Sequence, residues 1–368
     1  MQITLPRAAL NAALDQVKKV VERRNTIPIL SNVLLTATAA GLSIKGTDLD
    51  IEIVTRIDGT PEALGATTAP AGLLSDIVRK MPDKSQVTLC LDPAGTSLRV
   101  ESGRARMDLN TLPASDYPDI TVGEFPVRFS FPAATLTRMI ARTAFAISTE
   151  ETRYYLNGLY WHVSGDHLVM VATDGHRLAK VVTPRPSPDL DFAGIIAPAK
   201  TIARLHDMAK GAEGDLAIEI SETKIRVAFG ASVLTSKLID GTFPDYQRVI
   251  PRDNDKRLTV DRATLAEAID RVSTVASERG RAVKLNLQPD SLQLQVHNAD
   301  SGTGDETLDV TYADEPIAIG FNSLYVGDAL KVLDSKDVCV ALANPGAPAL
   351  LTNPQDDSFL IVLMPMRV

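Results

Sequence analysis

The sequence predicts an α+β protein made of three repeated domains, each with two helices packed on antiparallel sheet. Three observations predict it. A segment of about sixteen residues recurs three times in one register, the stretch downstream of each recurrence also repeats, and the spacing of the copies is that of an ordinary domain. Residues 2–17 read QITLPRAALNAALDQV, residues 128–143 read RFSFPAATLTRMIART, and residues 257–272 read RLTVDRATLAEAIDRV. Ile3, Phe129 and Leu258 align, as do Leu5, Phe131 and Val260, then Leu10, Leu136 and Leu265, then Leu14, Ile140 and Ile269. The offsets hold at 126 and 129 residues throughout.

Each copy opens with alternating apolar residues, the period of a half-buried strand, and passes through Pro or Asp into apolar residues four apart, the period of a helix. A strand pair comes next at 41–57, 167–182 and 291–312, with Leu49, Ile51, Ile53, Thr55 and Ile57 alternating against polar residues. A second helix is expected at 71–81 after Ala69-Pro70, at 199–210 after Ala197-Pro198, and at 322–335. Two more strands close each unit, for example 215–220 and 224–229. Related segments end the copies: Tyr117-Pro118-Asp119, Phe243-Pro244-Asp245-Tyr246 and Val362-Leu363-Met364-Pro365. Boundaries are expected near 124 and 253, giving domains 1–124, 125–253 and 254–368.

Composition narrows the function. The 368 residues carry a net charge of −8, which argues against coating nucleic acid by bulk electrostatics. The charge is unevenly spread. Inferred helices at 6–24, 72–81, 133–144, 199–210, 262–273 and 322–336 hold sixteen basic and eight acidic residues, leaving an acidic remainder. Such a chain can face phosphates on one side only. Solvated helix faces usually carry Glu along with Lys and Arg, which is not the pattern here. A repeat-built adaptor that binds only proteins fits those basic helices less well. Cys90 and Cys339 lie in apolar, strand-like segments and are expected to be buried small side chains, with no disulfide framework. No apolar run reaches membrane-spanning length, and the N-terminus lacks a secretory pattern, so a cytoplasmic protein with no membrane partner is expected.

No catalytic residue, cofactor or metal site is expected. Asp174 and His176 share a strand face without a nucleophile elbow nearby. His162, His167, His176, His206 and His297 have no metal-ligand spacing, and no phosphate-binding G-x-x-x-x-G-K-[ST] loop is present.

The segments Ile27-Pro28-Ile29-Leu30-Ser31-Asn32, Arg153-Tyr154-Tyr155-Leu156-Asn157-Gly158, Thr173-Asp174-Gly175-His176-Arg177-Leu178-Ala179, Phe243-Pro244-Asp245-Tyr246 and Met364-Pro365-Met366-Arg367 resemble, in order, the bacterial DNA polymerase III beta subunit family, the beta sliding clamps. The resemblance runs over the whole chain. It implies DNA-clamp domains, with two subunits joined head to tail into a ring that encloses double-stranded DNA without reading its sequence. By the same resemblance, such a ring is expected to tether the polymerase and confer processivity. The implied partners are a second copy, DNA, the DNA polymerase III alpha subunit, the clamp loader and other proteins bearing a clamp-binding motif. A closed ring needs only weak phosphate contacts, which reconciles DNA with the acidity. Residues expected to face DNA are Arg23, Arg24, Arg79, Lys80, Arg138, Arg142, Lys200, Arg204 and Lys210. The implied partner-peptide site has Leu178, Pro244, Val249, Val362 and Met364 as an apolar subsite. Arg153, Tyr155, Leu156, Thr173, Gly175, His176, Arg177, Arg248, Asn322, Tyr325, Met366 and Arg367 border it or form the adjoining subsite. At the implied joint, Arg104, Arg106, Met107 and Leu109 meet Thr274, Val275, Asp305 and Glu306 of the partner. Thr274 is polar where the family usually has an apolar residue, and the Gly-rich, modestly acidic loop 299–306 points to a looser joint.

Overall fold

The structure, a computed structural model, describes residues 1–22, 26–120, 123–277 and 281–367. The first copy of the repeat comprises β1 (Gln2–Pro6), α1 (Arg7–Val17), β2 (Asn32–Thr38), β3 (Gly41–Thr47), β4 (Ile51–Asp58), β5 (Gly65–Pro70), α2 (Ala71–Lys80), β6 (Gln86–Leu91), β7 (Ser97–Ser102) and β8 (Ala105–Asn110). The second runs β9 (Val127–Pro132), α3 (Ala133–Thr143), β10 (Gly158–Ser164), β11 (His167–Thr173), β12 (Arg177–Pro184), β13 (Ile195–Pro198), α4 (Ala199–Ala209), β14 (Asp215–Ile220), β15 (Lys224–Phe229) and β16 (Ser232–Lys237). The third runs β17 (Lys256–Asp261), α5 (Arg262–Ser273), β18 (Ala282–Gln288), β19 (Ser291–Asn298), β20 (Gly302–Asp309), β21 (Ile317–Asn322), α6 (Ser323–Val332), β22 (Asp337–Leu342), β23 (Ala349–Asn353) and β24 (Asp356–Leu363).

Local chemistry explains the helix starts. Pro6 and Pro70 precede α1 and α2 with φ near −58°, already suited to the turn into a helix. Asp261 and Asn322 cap α5 and α6, accepting from the Thr264 and Leu324 amides at 2.8 and 3.0 Å. The apolar residues four apart are the buried ones, Leu10, Leu14 and Val17 in α1 and Leu265, Ile269 and Val272 in α5.

Three expectations need correction. The first helix stops at Val17, because Val20 donates to Val17 O in a tightened turn, so Lys18 and Lys19 follow the helix instead of extending it. The last helix ends at Val332, where Leu333 turns to extended backbone and is itself buried. With these bounds the six helices hold ten basic and six acidic residues, and the charge segregation is weaker than the longer helices implied. Cys90 and Cys339 are free and half-buried, not fully enclosed.

The chain forms two compact units, Met1–Leu136 with Ala203–Leu238, and Thr137–Ile202 with Ile239–Val368. In the first, one sheet has the order β1-β6-β7-β8 and an eight-stranded sheet the order β5-β2-β3-β4-β16-β15-β14-β9. The second holds β13-β10-β11-β12-β24-β23-β22-β17 and β20-β19-β18-β21. Each eight-stranded sheet therefore joins strands from successive copies. The joints are antiparallel and equivalent in the repeat: β4 meets β16 with Ile53 opposite Leu234, and β12 meets β24 with Ala179 opposite Ile361. No disulfide is needed where main-chain ladders and apolar faces do this work. Among the described residues, no helix is long and apolar enough to cross a membrane.

Candidate partner site and assembly edges

The turn between β11 and β12 organises one end of the second unit. Asp174 Oδ1 accepts from the His176 and Arg177 amides, both at 2.9 Å, and Thr173 Oγ1 accepts from Gly175 N at 3.1 Å while donating to Arg177 O at 2.8 Å. Gly175 has φ +88°, a left-handed conformation that residues with a Cβ rarely adopt, so the turn favours glycine there. The turn aims Arg177 inward, where its guanidinium bonds Asp174 Oδ2 at 3.1 Å and Asp328 Oδ2 at 2.8 Å. It also stands 4.5 Å from the Tyr325 ring centre and 5.2 Å from that of Phe145. His176 stacks on Tyr325 with centroids 6.1 Å apart. Asn322, which caps α6, and Tyr325 on that helix are both half-buried.

Pairing of β12 with β24 sets Leu178 opposite Val362, and the Met364 amide donates to His176 O at 2.8 Å. Leu178 and Val362 are buried in one cluster with Leu156, Val169, Val171, Ile196, Phe243 and Tyr246, with Tyr155 packed against it. Phe243 lies flat on Tyr160 at 4.7 Å, and His162 Nε2 meets the Tyr246 hydroxyl at 3.0 Å. Burial, helped by the nearby Lys180 charge, pushes the His162 pKa down, which favours the neutral imidazole. Burial raises the Tyr246 hydroxyl.

The other apolar residues of the expected subsite are exposed. Val249 is 47% and Met364 39% exposed, and Pro244 is exposed next to Asp245, which pairs with Arg248 at 2.8 Å. Arg153 pairs with Glu150 at 2.7 Å. Met366 and Arg367, expected on the border of the floor or in the adjoining subsite, line a groove with Lys284, Gly320 and Pro345, where the Met366 amide is bonded to Gly320 O on β21.

The joint residues lie on two sheet edges. Arg106, Met107 and Leu109 are on β8, the last strand of its sheet, and Arg104 is in the turn before it. Arg106 and Met107 are exposed, whereas Leu109 is buried in its own sheet and presents only backbone to the edge. Asp305 and Glu306 are on β20, the edge of the other four-stranded sheet, so most of the expected loop is strand. Gly304 lets α5 close on this strand, since a Cβ there would come within 3.1 Å of Val272 O. Glu306 takes both branches of Arg271 at 2.7 and 3.0 Å. Thr274 is exposed at the end of α5, and Val275 is half-buried.

Residues 1–121 match the N-terminal domain, 130–245 the central domain and 247–367 the C-terminal domain of the DNA polymerase III beta subunit. The chain belongs to that family. It is 45% identical over 372 residues to the beta sliding clamp of Caulobacter vibrioides and 37% identical over 369 residues to that of Escherichia coli K12, covering all of each protein. Among solved structures, it superposes with a TM-score of 0.98 on the sliding clamp of Bartonella birtlesii bound to griselimycin, at 46% identity and complete coverage of both chains. A Caulobacter crescentus beta sliding clamp with polyethylene glycol bound gives 0.97 at 45% identity, covering all of this chain and 99% of that one.

Beta clamps are non-catalytic processivity subunits of the polymerase, which accords with an Asp174 consumed by its turn and a His176 stacked on a tyrosine. Of the basic residues expected to face DNA, Arg79, Lys80, Arg138 and Lys210 are exposed, and Lys200 and Arg204 are half-buried. Arg204 shares Asp207 with Lys19, at 3.3 and 3.2 Å. Arg23 and Arg24 lie outside the described residues. Arg142 is a correction: it is 5% exposed, bonded to Asp334 at 2.7 Å and Asp356 at 2.8 Å, and packed over Phe359 at 5.1 Å. Both partners reach it from the third copy of the repeat, so its charge is spent inside the unit. The aromatic floor of Tyr160, His162, Phe243 and Tyr246, the Phe145 ring and Asp328 were not anticipated. Phe243-Pro244-Asp245-Tyr246 was visible as a motif, but only long-range pairing shows what it covers.

Proposed function

We propose that two copies of this chain close head to tail into a ring around duplex DNA and present the Leu178–Val362 floor to partner peptides. The observation that supports it most directly is the pattern of joints. Equivalent strands meet twice within the chain, β4 with β16 and β12 with β24. By the same repeat, β20 should meet β8, and both stand as sheet edges among the described residues. Open edges of this kind recruit another strand. A second copy satisfies both at once with two-fold closure.

The repeat also supplies the register. Ile53 and Ala179 correspond to Gly304, while Leu234 and Ile361 correspond to Met107. Gly304 therefore faces the partner copy's Met107, which puts Asp305 opposite Arg106. The domains divide near 124 and 253. Arg79, Lys80, Arg138, Lys200, Arg204 and Lys210 make weak phosphate contacts, and the peptide site receives the polymerase alpha subunit, the clamp loader and other motif-bearing proteins in the cytoplasm. Because the chain has no ATP-binding loop of its own, a separate ATPase opens the ring.

Loading on a nicked circular plasmid by the cognate loader tests this. Retention should survive salt that strips phosphate contacts, since enclosure adds no counterion-dependent term. Cutting the plasmid should release the protein. Retention on linear DNA with free ends would show that affinity holds it and would overturn the reading.

A further inference from the structure

The turn between β11 and β12 has a counterpart between β3 and β4. Thr47 Oγ1 donates to Ile51 O at 2.9 Å and accepts from Leu49 N at 3.0 Å, and Asp48 Oδ1 accepts from the Asp50 and Ile51 amides at 2.9 and 2.8 Å. Thr173 and Asp174 make the same four bonds in the second copy. Leu49 takes φ +82° where Gly175 takes +88°. Ile51 stands at the position of Arg177. The turn and the strands that it joins therefore form without a guanidinium, and neither asks for Arg177.

The Arg177 side chain is 12% exposed and lies against the Tyr325 and Phe145 rings, with Nε on Asp174 and Nη1 on Asp328. Asp174 is local and already committed to the turn. Asp328 comes from α6, in the third copy of the repeat. Its counterpart in the first copy is Asp76 on α2, because Thr68 and Gly320 pair with Leu34 and Lys284 at matching places just before the two helices. Asp76 Oδ1 pairs with Arg79 along its own helix at 2.8 Å, and Asp328 Oδ1 keeps that local pair, with Lys331 at 3.3 Å. What the third copy adds is the use of the second oxygen, Oδ2, by Arg177 at 2.8 Å. An arginine that the turn does not require thus meets a carboxylate oxygen that the helix does not require.

We propose that Asp328 is a positioning residue of the partner site: through Arg177 it ties α6, which carries Tyr325, to the turn that carries Gly175 and His176. The inference rests on the reading of this face as the peptide site. The two walls come from different copies of the repeat, so neither copy alone fixes their spacing. The His176–Tyr325 stack spans the same gap at 6.1 Å, towards the long end of aromatic contacts, whereas the Arg177–Asp328 bond is short and charge-assisted. An ion pair with an enclosed cation holds geometry firmly, because releasing one partner leaves the other charge uncompensated.

A fluorescein-labelled clamp-binding peptide from the cognate polymerase, titrated with the full-length protein and read by anisotropy, tests the proposal. Asp328→Ala should weaken binding about tenfold, and Asp76→Ala should leave it unchanged. Asp328→Asn, which keeps the shape and an acceptor oxygen, should lose less than Asp328→Ala. Because Asp328 acts through Arg177, the effects should not add: Arg177→Met with Asp328→Ala should bind no worse than Arg177→Met alone. A residue that only supported the fold would cost the same in both backgrounds. Wild-type affinity in Asp328→Ala overturns the proposal, and so does a further loss of similar size in the double variant. Val249→Asp with Met364→Asp reports on the site itself. If that variant binds normally, the reading of the site falls and the proposal with it; if it loses the peptide while Asp328→Ala binds as wild type, the positioning role alone falls.

Discussion

Arg142 shows how far a charged side chain can be read from its own position. It sits on α3 four residues after Arg138, and on periodicity both could face solvent. Arg138 is exposed; Arg142 is closed in by Asp334, Asp356 and Phe359, residues some two hundred positions later in the chain. No local pattern encodes that encounter. Its hydrogen bond to Asp334 holds that carboxyl below its ordinary range, and Asp356 is lowered by Ser358 first and by Arg142 after it. A carboxylate whose folded pKa is depressed contributes stability above its unfolded value and loses it as pH falls through the folded one. Arg142→Ala should therefore destabilise the protein by about 2 kcal/mol at neutral pH, as removal of charge-assisted bonds typically does, and by less in strong acid. Denaturant unfolding at the two pH values checks both. At matched folded concentration the variant should load onto DNA normally, whereas a residue in the hole would slow loading.

At the level of elements, alternation and four-residue spacing made strands such as β14 and β15 legible to the residue. What periodicity could not supply was partner choice. The strand β12 alternates in the same way whether its neighbour is β24 or solvent, so the joints between copies emerge only from register. Helix ends were misread where Lys18 and Lys19 prolonged a basic, helix-compatible run past the turn at Val17. The edge strands carry a prediction of their own. If Asp305 faces the partner's Arg106, a reversal at either position puts like charges directly opposite, at about 1 kcal/mol per joint. Two joints per dimer make that about 2 kcal/mol, near thirtyfold in the dissociation constant. Arg106→Asp and Asp305→Arg should each weaken the dimer in sedimentation equilibrium, and the double reversal should restore it. If the double variant is as weak as the singles, the register is wrong. Gly304→Val should also loosen the dimer, because its side chain pushes against Val272 and Val275 and displaces β20 from α5.

For the molecule as a whole, tethering requires that partner binding be separable from assembly, and the placement of apolar surface makes that testable. Leu178 and Val362 are buried and support the second unit, so altering them would confound binding with stability. Val249 and Met364 are different: both are large, exposed and apolar, and neither lies on β8 or β20. An exposed apolar side chain gives up little when it is made polar, until a ligand covers it. Covering a Leu or Phe from a partner peptide on such a surface contributes about 1.5–3 kcal/mol for each large side chain. Val249→Asp combined with Met364→Asp should thus weaken a polymerase-derived clamp-binding peptide by at least about tenfold in fluorescence anisotropy. The same variant should keep the wild-type mass in light scattering at micromolar concentration and a thermal midpoint within a few degrees of wild type. Loss of the dimer together with the peptide would mean that these side chains hold the fold. Undiminished peptide binding would mean that the floor between β12 and β24 is not where partners dock, leaving the aromatic cluster beneath it as core alone.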